Sequence, residues 1–121
     1  MPKTDGNPIE DLLPLPLPIF HMLLALSEGD RHGYALKREI LQRTGGKLNL
    51  GSGALYGSIN KMLEQGWIEE SDERPDAHLD DERRRYYRIT SLGLRVAQAE
   101  AARLRQLLHL AETKLGVPEL A

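Results

Sequence analysis

Few residues in this chain have the types and spacing that chemistry demands. The four histidines, His21, His32, His78 and His109, form no pair at metal-ligand spacing. Gly51-Ser52-Gly53 is no nucleophile elbow, which needs glycines two residues either side of the serine. Gly51-x-Gly53-x-x-Tyr56 lacks the last glycine of a dinucleotide fingerprint, and no Gly-Lys-Ser/Thr phosphate loop occurs. There is no cysteine, which excludes disulfides, thiol catalysis and cysteine-based zinc sites. No template for an acid, base or nucleophile is met, so no enzyme and no cofactor are expected.

The remaining chemistry is charge. Arg31, Lys37, Arg38, Arg43 and Lys47 fall in one stretch against a single Glu39. Glu69, Glu70, Asp72, Glu73, Asp76, Asp80, Asp81 and Glu82 face only Arg74, and then Arg83, Arg84, Arg85 and Arg88 cluster. Duplex DNA rewards basic patches through phosphate neutralisation and counterion release. The same runs also fit a solvated surface, with the arginines paired to the neighbouring acids.

The frame that holds these charges is small. At 121 residues the chain is one domain. It is 40% hydrophobic and 28% charged, which suits a globular protein. The net charge of -2 excludes a uniformly basic coat but not local patches. No apolar run reaches the roughly 18 residues of a membrane helix. The N-terminus lacks the apolar core of a secretory signal, so a cytoplasmic location is expected.

Residues 1–17 read as a flexible extension, with prolines at 14, 16 and 18 favouring extended backbone. Ile19, Met22, Leu23 and Leu26 share one face of a first helix, which Gly29 stops. A second helix is expected after Asp30 as N-cap, with Gly33, Leu36 and Ile40 inward and Lys37 and Arg38 off that face. Gly45-Gly46 ends it, and Leu48-Asn49-Leu50 alternates as a short extended segment.

Ser52 is the expected N-cap of a third helix. Leu55, Ile59, Met62 and Leu63 point inward, and Tyr56, Gly57, Asn60 and Lys61 outward. Trp67–Glu70 and Arg85–Ile89 read as strands of a hairpin around the polar loop 71–84. Thr90 then caps a last helix, in which Leu94, Ala97, Ala101, Leu104, Leu108, Ala111 and Leu115 recur as a heptad seam. That helix would be ~39 Å long, more than so small a domain can cover.

The resulting fold class is mainly α with a small β-hairpin. It is a winged helix-turn-helix (18–89) followed by a long C-terminal dimerisation helix (90–116) and a tail (117–121). Helix three is the candidate reader of DNA. Ser52, Gly53 and Ala54 allow close backbone approach, and helix N-termini attract phosphate. Tyr56, Asn60 and Lys61 offer groups to phosphate or base edges, with Lys37 and Arg38 on phosphate. Arg83, Arg84 and Arg85 lie in the wing. Tyr56 also fits a packed amphipathic aromatic, and Asn60 plain solvent exposure. Phe20 and Trp67 suit core packing, with a ligand pocket as the other possibility.

Several segments together resemble the PadR family of bacterial transcriptional regulators. They are Leu24-Ala25-Leu26, Gly33-Tyr34-Ala35-Leu36, Gly51-Ser52-Gly53-Ala54-Leu55-Tyr56, Met62-Leu63-Glu64-Gln65-Gly66-Trp67-Ile68 and Arg85-Tyr86-Tyr87-Arg88-Ile89-Thr90-Ser91-Leu92-Gly93. The resemblance runs from about Ile19 to Leu115, and the short part after the wing matches the branch with a short C-terminal region. It implies a repressor that binds palindromic operator DNA as a homodimer and is released by a small-molecule effector. Tyr56 and Lys61 match recognition-helix residues, and Thr90 and Gly93 match the entry to the dimerisation helix. Many relatives carry proline where Gly57 stands. The effector would sit at the dimer interface, between the first and last helices. The alternative is a dimeric winged-helix module for ligands or proteins, without specific DNA binding.

Overall fold

The computed structural model describes residues 9–71 and 85–119. After a 3-10 turn at Glu10–Leu12 come α1 (Leu17–Leu26), β1 (Arg31–His32), α2 (Gly33–Arg43) and α3 (Ser52–Gln65). β2 (Ile68–Ser71), β3 (Tyr86–Ile89) and α4 (Ser91–Leu115) complete the chain. The architecture is a helix-turn-helix with a three-stranded antiparallel sheet and one long helix. The mainly helical fold class is as expected.

The inward faces follow the helical period. Ile19, Met22, Leu23 and Leu26 of α1, Leu36 and Ile40 of α2, and Leu55, Ile59 and Met62 of α3 are all buried in one core. α1 sits centrally and packs on α2, α3 and α4. Gly45 and Gly46 adopt left-handed backbone after α2, and the Gly46 N–H returns to the Leu41 carbonyl at 2.8 Å.

Two helix starts differ from expectation. His32, not Asp30, caps α2, its Nδ1 accepting from the Ala35 N–H at 3.1 Å. Asp30 instead accepts a hydrogen bond from the Ser71 hydroxyl, which ties the start of β1 to the end of β2. Gly51 occupies the cap of α3, and Ser52 is already helical. A glycine cap leaves the first N–H groups of α3 without a side-chain partner.

The sheet has one strand more than the hairpin that periodicity indicated. Its order is β1-β3-β2, with Arg31 opposite Tyr87 and Ile68 opposite Ile89. β1 is only two residues long, too short for an alternation to register. It puts His32 edge-on to the ring of Tyr86, centroids 5.2 Å apart. Tyr86 and Tyr87, on opposite strand faces, are therefore both buried. Residues 48–50 form no strand, although Leu50 is buried.

Thr90 fastens α4 to the body. Its side chain accepts from the Gly93 N–H at 3.0 Å and donates to the Gly66 carbonyl at 2.6 Å. Gly93 presses on the backbone carbonyl of Trp67 so closely that a Cβ there has no room. Val96, Ala97 and Glu100 are buried, so the first turns of α4 belong to the same core as the three helices.

The segment before α1 also packs. Leu15 is buried, and Ile9 and Leu13 lie against the core. The Leu15 N–H donates to Glu100 Oε2 at 3.3 Å. The part of the expected flexible extension from Ile9 onward is thus a strap across α4. It opens on the 3-10 turn Glu10–Leu12, and its Ile9, Leu13 and Leu15 give it an apolar side that proline spacing alone does not indicate.

Candidate nucleic-acid interface

The site is built where α2 meets α3. The ring of Tyr56 lies over Gly33, so close that a Cβ on Gly33 would come within 2.9 Å of the Tyr56 hydroxyl. That contact sets the first turn of α2 beside the outward face of α3. Tyr56 is still 46% exposed, so its packing and its availability to a ligand coexist.

On the outward face of α3, Gly53, Ala54, Gly57, Asn60 and Lys61 are exposed, as is Ser52 at its start. Nothing lies within 4 Å of a Cβ built on Gly53 or Gly57. Neither glycine is required by packing, and each costs a helix roughly 1 kcal/mol against alanine. The face is therefore low-relief, with Tyr56, Asn60 and Lys61 rising beside the glycines.

α2 adds charge. Arg38 stacks over the ring of Tyr34, its guanidinium carbon 5.2 Å from the centroid. Tyr34, half-exposed on the same face, escaped the sequence reading, although tyrosine four residues before arginine is a legible pair. Lys37, Lys47 and Lys61 join no ion pair among the described residues. Arg31 and Arg43 do. Arg31 meets Glu39 at 3.0 Å, and Arg43 meets Glu39 at 2.8 Å and Glu28 at 3.4 Å. The basic stretch is thus reduced to Lys37, Arg38 and Lys47.

The base of the wing is likewise paired. Arg85 meets Glu70 at 3.2 Å, and Arg88 meets Glu69 at 3.7 Å. Arg88 also donates to the Ser71 hydroxyl at 3.3 Å. Burial, and then the neighbouring Glu70 carboxylate, push the Tyr87 hydroxyl above its ordinary pKa. Arg83 and Arg84 lie outside the described residues.

The seam on α4 divides. Ala97 is buried in its own domain, and Ala111 is half-buried. Leu94, Ala101, Leu104, Leu108 and Leu115 are exposed. Leu107 and Leu110, outside the heptad positions, are exposed too. Beyond Glu100 no residue of α4 is buried, so the distal helix projects from the body with leucines uncovered. No described helix is long and apolar enough to cross a membrane.

Comparison with known proteins agrees with this architecture. A search of curated proteins finds no match. Among solved structures, a transcriptional regulator from Clostridium thermocellum is similar at 22% identity and TM-score 0.66, over 81% of this chain and 89% of that one. A PadR family transcription regulator from Clostridium difficile is similar at 20% identity and TM-score 0.68, over 84% of this chain and all of that one. RosR of H. salinarum is similar at 26% identity and TM-score 0.60, over 82% and 79% of the two chains. The family model for the transcriptional regulator PadR-like family matches residues 22–99, from mid-α1 into α4. This chain belongs to the PadR-like family of transcriptional regulators, a family of DNA-binding proteins and not of enzymes.

Proposed function

We propose that this protein is a repressor in a bacterial cytoplasm that binds palindromic operator DNA as a homodimer and is released by a small molecule. The observation that carries the reading is the face shared by α2 and α3. There Tyr56, Asn60 and Lys61 stand exposed, with Lys37 and Arg38 nearby, while Arg31 and Arg43 are engaged by Glu39 and Glu28. Cations without carboxylate partners are the ones free to neutralise phosphate. α3 enters the major groove with Ser52, Gly53 and Ala54 leading, and its low relief at Gly53 and Gly57 permits close approach. Asn60 and Tyr56 then reach base edges or backbone, and Lys37, Arg38 and Lys61 hold phosphate.

Leu94, Ala101, Leu104, Leu108 and Leu115 pair with their counterparts on a second α4. Two-fold symmetry then sets the two α3 helices about one DNA turn, ~34 Å, apart. An effector releases DNA by changing that separation.

A second reading has one observation in its favour. Arg85 pairs with Glu70 and Arg88 lies 3.7 Å from Glu69, so carboxylates offset part of the positive charge at the base of the wing. A dimeric module for ligands or proteins would look the same there.

Fluorescence anisotropy separates the two. The protein is titrated onto the DNA upstream of its own gene and onto a scrambled duplex, at two salt concentrations. If Lys37, Arg38, Lys47 and Lys61 of both subunits meet phosphate, log K falls against log salt with a slope of up to about -7. A flat salt response with no sequence preference would favour the second reading.

A further inference from the structure

A groove of about 480 Å³ lies between the strap and α4, lined by Glu10, Leu13, Ala99, Ala102, Arg103 and Gln106. It belongs to neither the nucleic-acid face nor the leucine seam. Leu13, Ala99 and Ala102 supply its apolar part, and Glu10, Arg103 and Gln106 its polar part. Arg103 is held in place, its Nε and Nη2 donating to Glu100 at 2.6 and 3.0 Å. Glu100 is 3% exposed and also accepts the Leu15 N–H. This ion pair is internally neutral. The Glu10 carboxylate and the Gln106 amide have no partner among the described residues. The groove thus has small-molecule volume, a lining that is part apolar and part polar, and one carboxylate with no cationic partner among the described residues.

We propose that this groove binds a cationic amphipathic small molecule. Its flat apolar part lies on Leu13, Ala99 and Ala102, its cationic group sits at Glu10, and Gln106 accepts or donates a hydrogen bond. Ala102 and Gln106 lie two residues either side of Leu104, roughly 160–200° around the helix from the seam. An occupied groove therefore leaves the seam open to a second copy. The molecule touches both the strap, which is anchored on the body, and the projecting part of α4. It bears on the angle at which α4 leaves the domain. That last consequence rests on the dimeric reading above, whereas binding itself is a property of one chain.

The test uses the full chain without DNA, so that it stands apart from any result on operator binding. Thioflavin T, a cationic aromatic dye that brightens when held rigid, is titrated into the protein. The anionic dye 8-anilinonaphthalene-1-sulfonate serves as counter-probe. We expect saturable binding of one thioflavin T per chain. Ala102→Trp, which fills the groove from an exposed helix position, should weaken it roughly tenfold or more. Glu10→Lys should weaken it roughly fivefold or more and strengthen binding of the anionic dye. Leu108→Glu, on the seam, should leave it unchanged. Circular dichroism checks that each variant keeps its helix content. Absence of saturable thioflavin T binding would overturn the proposal. So would binding indifferent to Ala102→Trp and Glu10→Lys, or binding lost in Leu108→Glu, which would place the dye on the exposed leucines.

Discussion

The phenol ring of Tyr56 rests against Gly33, where it ties the start of α2 to the outward face of α3, beside the core that the two helices share. A methyl group on Gly33 would sit 2.9–3.1 Å from the hydroxyl and ring carbons of Tyr56 and push the ring outward. Gly33→Ala should therefore change stability by only about 1 kcal/mol, since a side chain and not backbone must move. It should nevertheless weaken operator binding. Tyr56→Phe, which keeps the packing and removes the hydroxyl, should weaken binding less. Tyr56→Ala with Lys61→Ala should abolish it while leaving the oligomeric state intact. Anisotropy on operator DNA with urea unfolding checks all three. Unchanged affinity in the double variant would remove α3 from the role of reader.

A substitution at Gly57 tests folding and recognition separately. No atom lies within 4 Å of a Cβ built there, and its backbone is helical. Gly57→Ala should stabilise the protein by about 0.5–1 kcal/mol, a rise in Tm of a few degrees for a domain of this size. If α3 lies in the major groove, the same methyl group should lower operator affinity. Higher Tm with unaltered affinity would show that this ridge does not approach DNA closely.

The exposed leucines of α4 predict the oligomeric state. Leu104 is 37% exposed and Leu108 52%. Replacing both by Glu puts two like charges from each chain into the seam and should yield monomers. Light scattering at micromolar concentration reads the outcome. The isolated domain should stay folded, because neither residue belongs to its core. Dimers that persisted would place the interface elsewhere.

The strap should release in acid. Hydrogen bonds from Arg103, more than its charge or the Leu15 N–H, hold the Glu100 carboxyl below its ordinary value of 4.5, against the opposing effect of burial. A group with a lowered folded pKa stabilises the fold above its unfolded pKa and loses that contribution as pH falls through the folded pKa. Glu100 thus contributes fully at neutral pH and loses its contribution below about pH 4.5. Glu100→Gln should destabilise the protein at pH 7 and flatten its loss of stability below pH 4.5. Urea unfolding across pH 3–7 measures this. Parallel curves for variant and parent would show that the ion pair does not hold the strap.

Much of this protein was legible in its residue order. Ile19, Met22, Leu23 and Leu26, then Leu36 and Ile40, then Leu55, Ile59 and Met62 recur at helical spacing, and burial follows that spacing. Thr90 and Gly66 mark ends because a hydroxyl cap and a left-handed glycine are local devices. The outward set Tyr56, Gly57, Asn60 and Lys61 follows from the same period. What escaped the sequence depends on partners far along the chain. β1 exists because β3, more than fifty positions later, offers it two residues of ladder. His32 caps α2, Asp30 meets Ser71, and the ring of His32 lies against Tyr86 because that third strand adds to the edge of the sheet beside β3. Leu15 and Glu100 meet across 85 positions, so no local pattern could turn a proline-rich extension into a strap. The charge pattern was the most ambiguous feature. Composition counts cations, but only tertiary structure decides which of them already have carboxylates, and Coulomb attraction falls with distance in space, not in sequence.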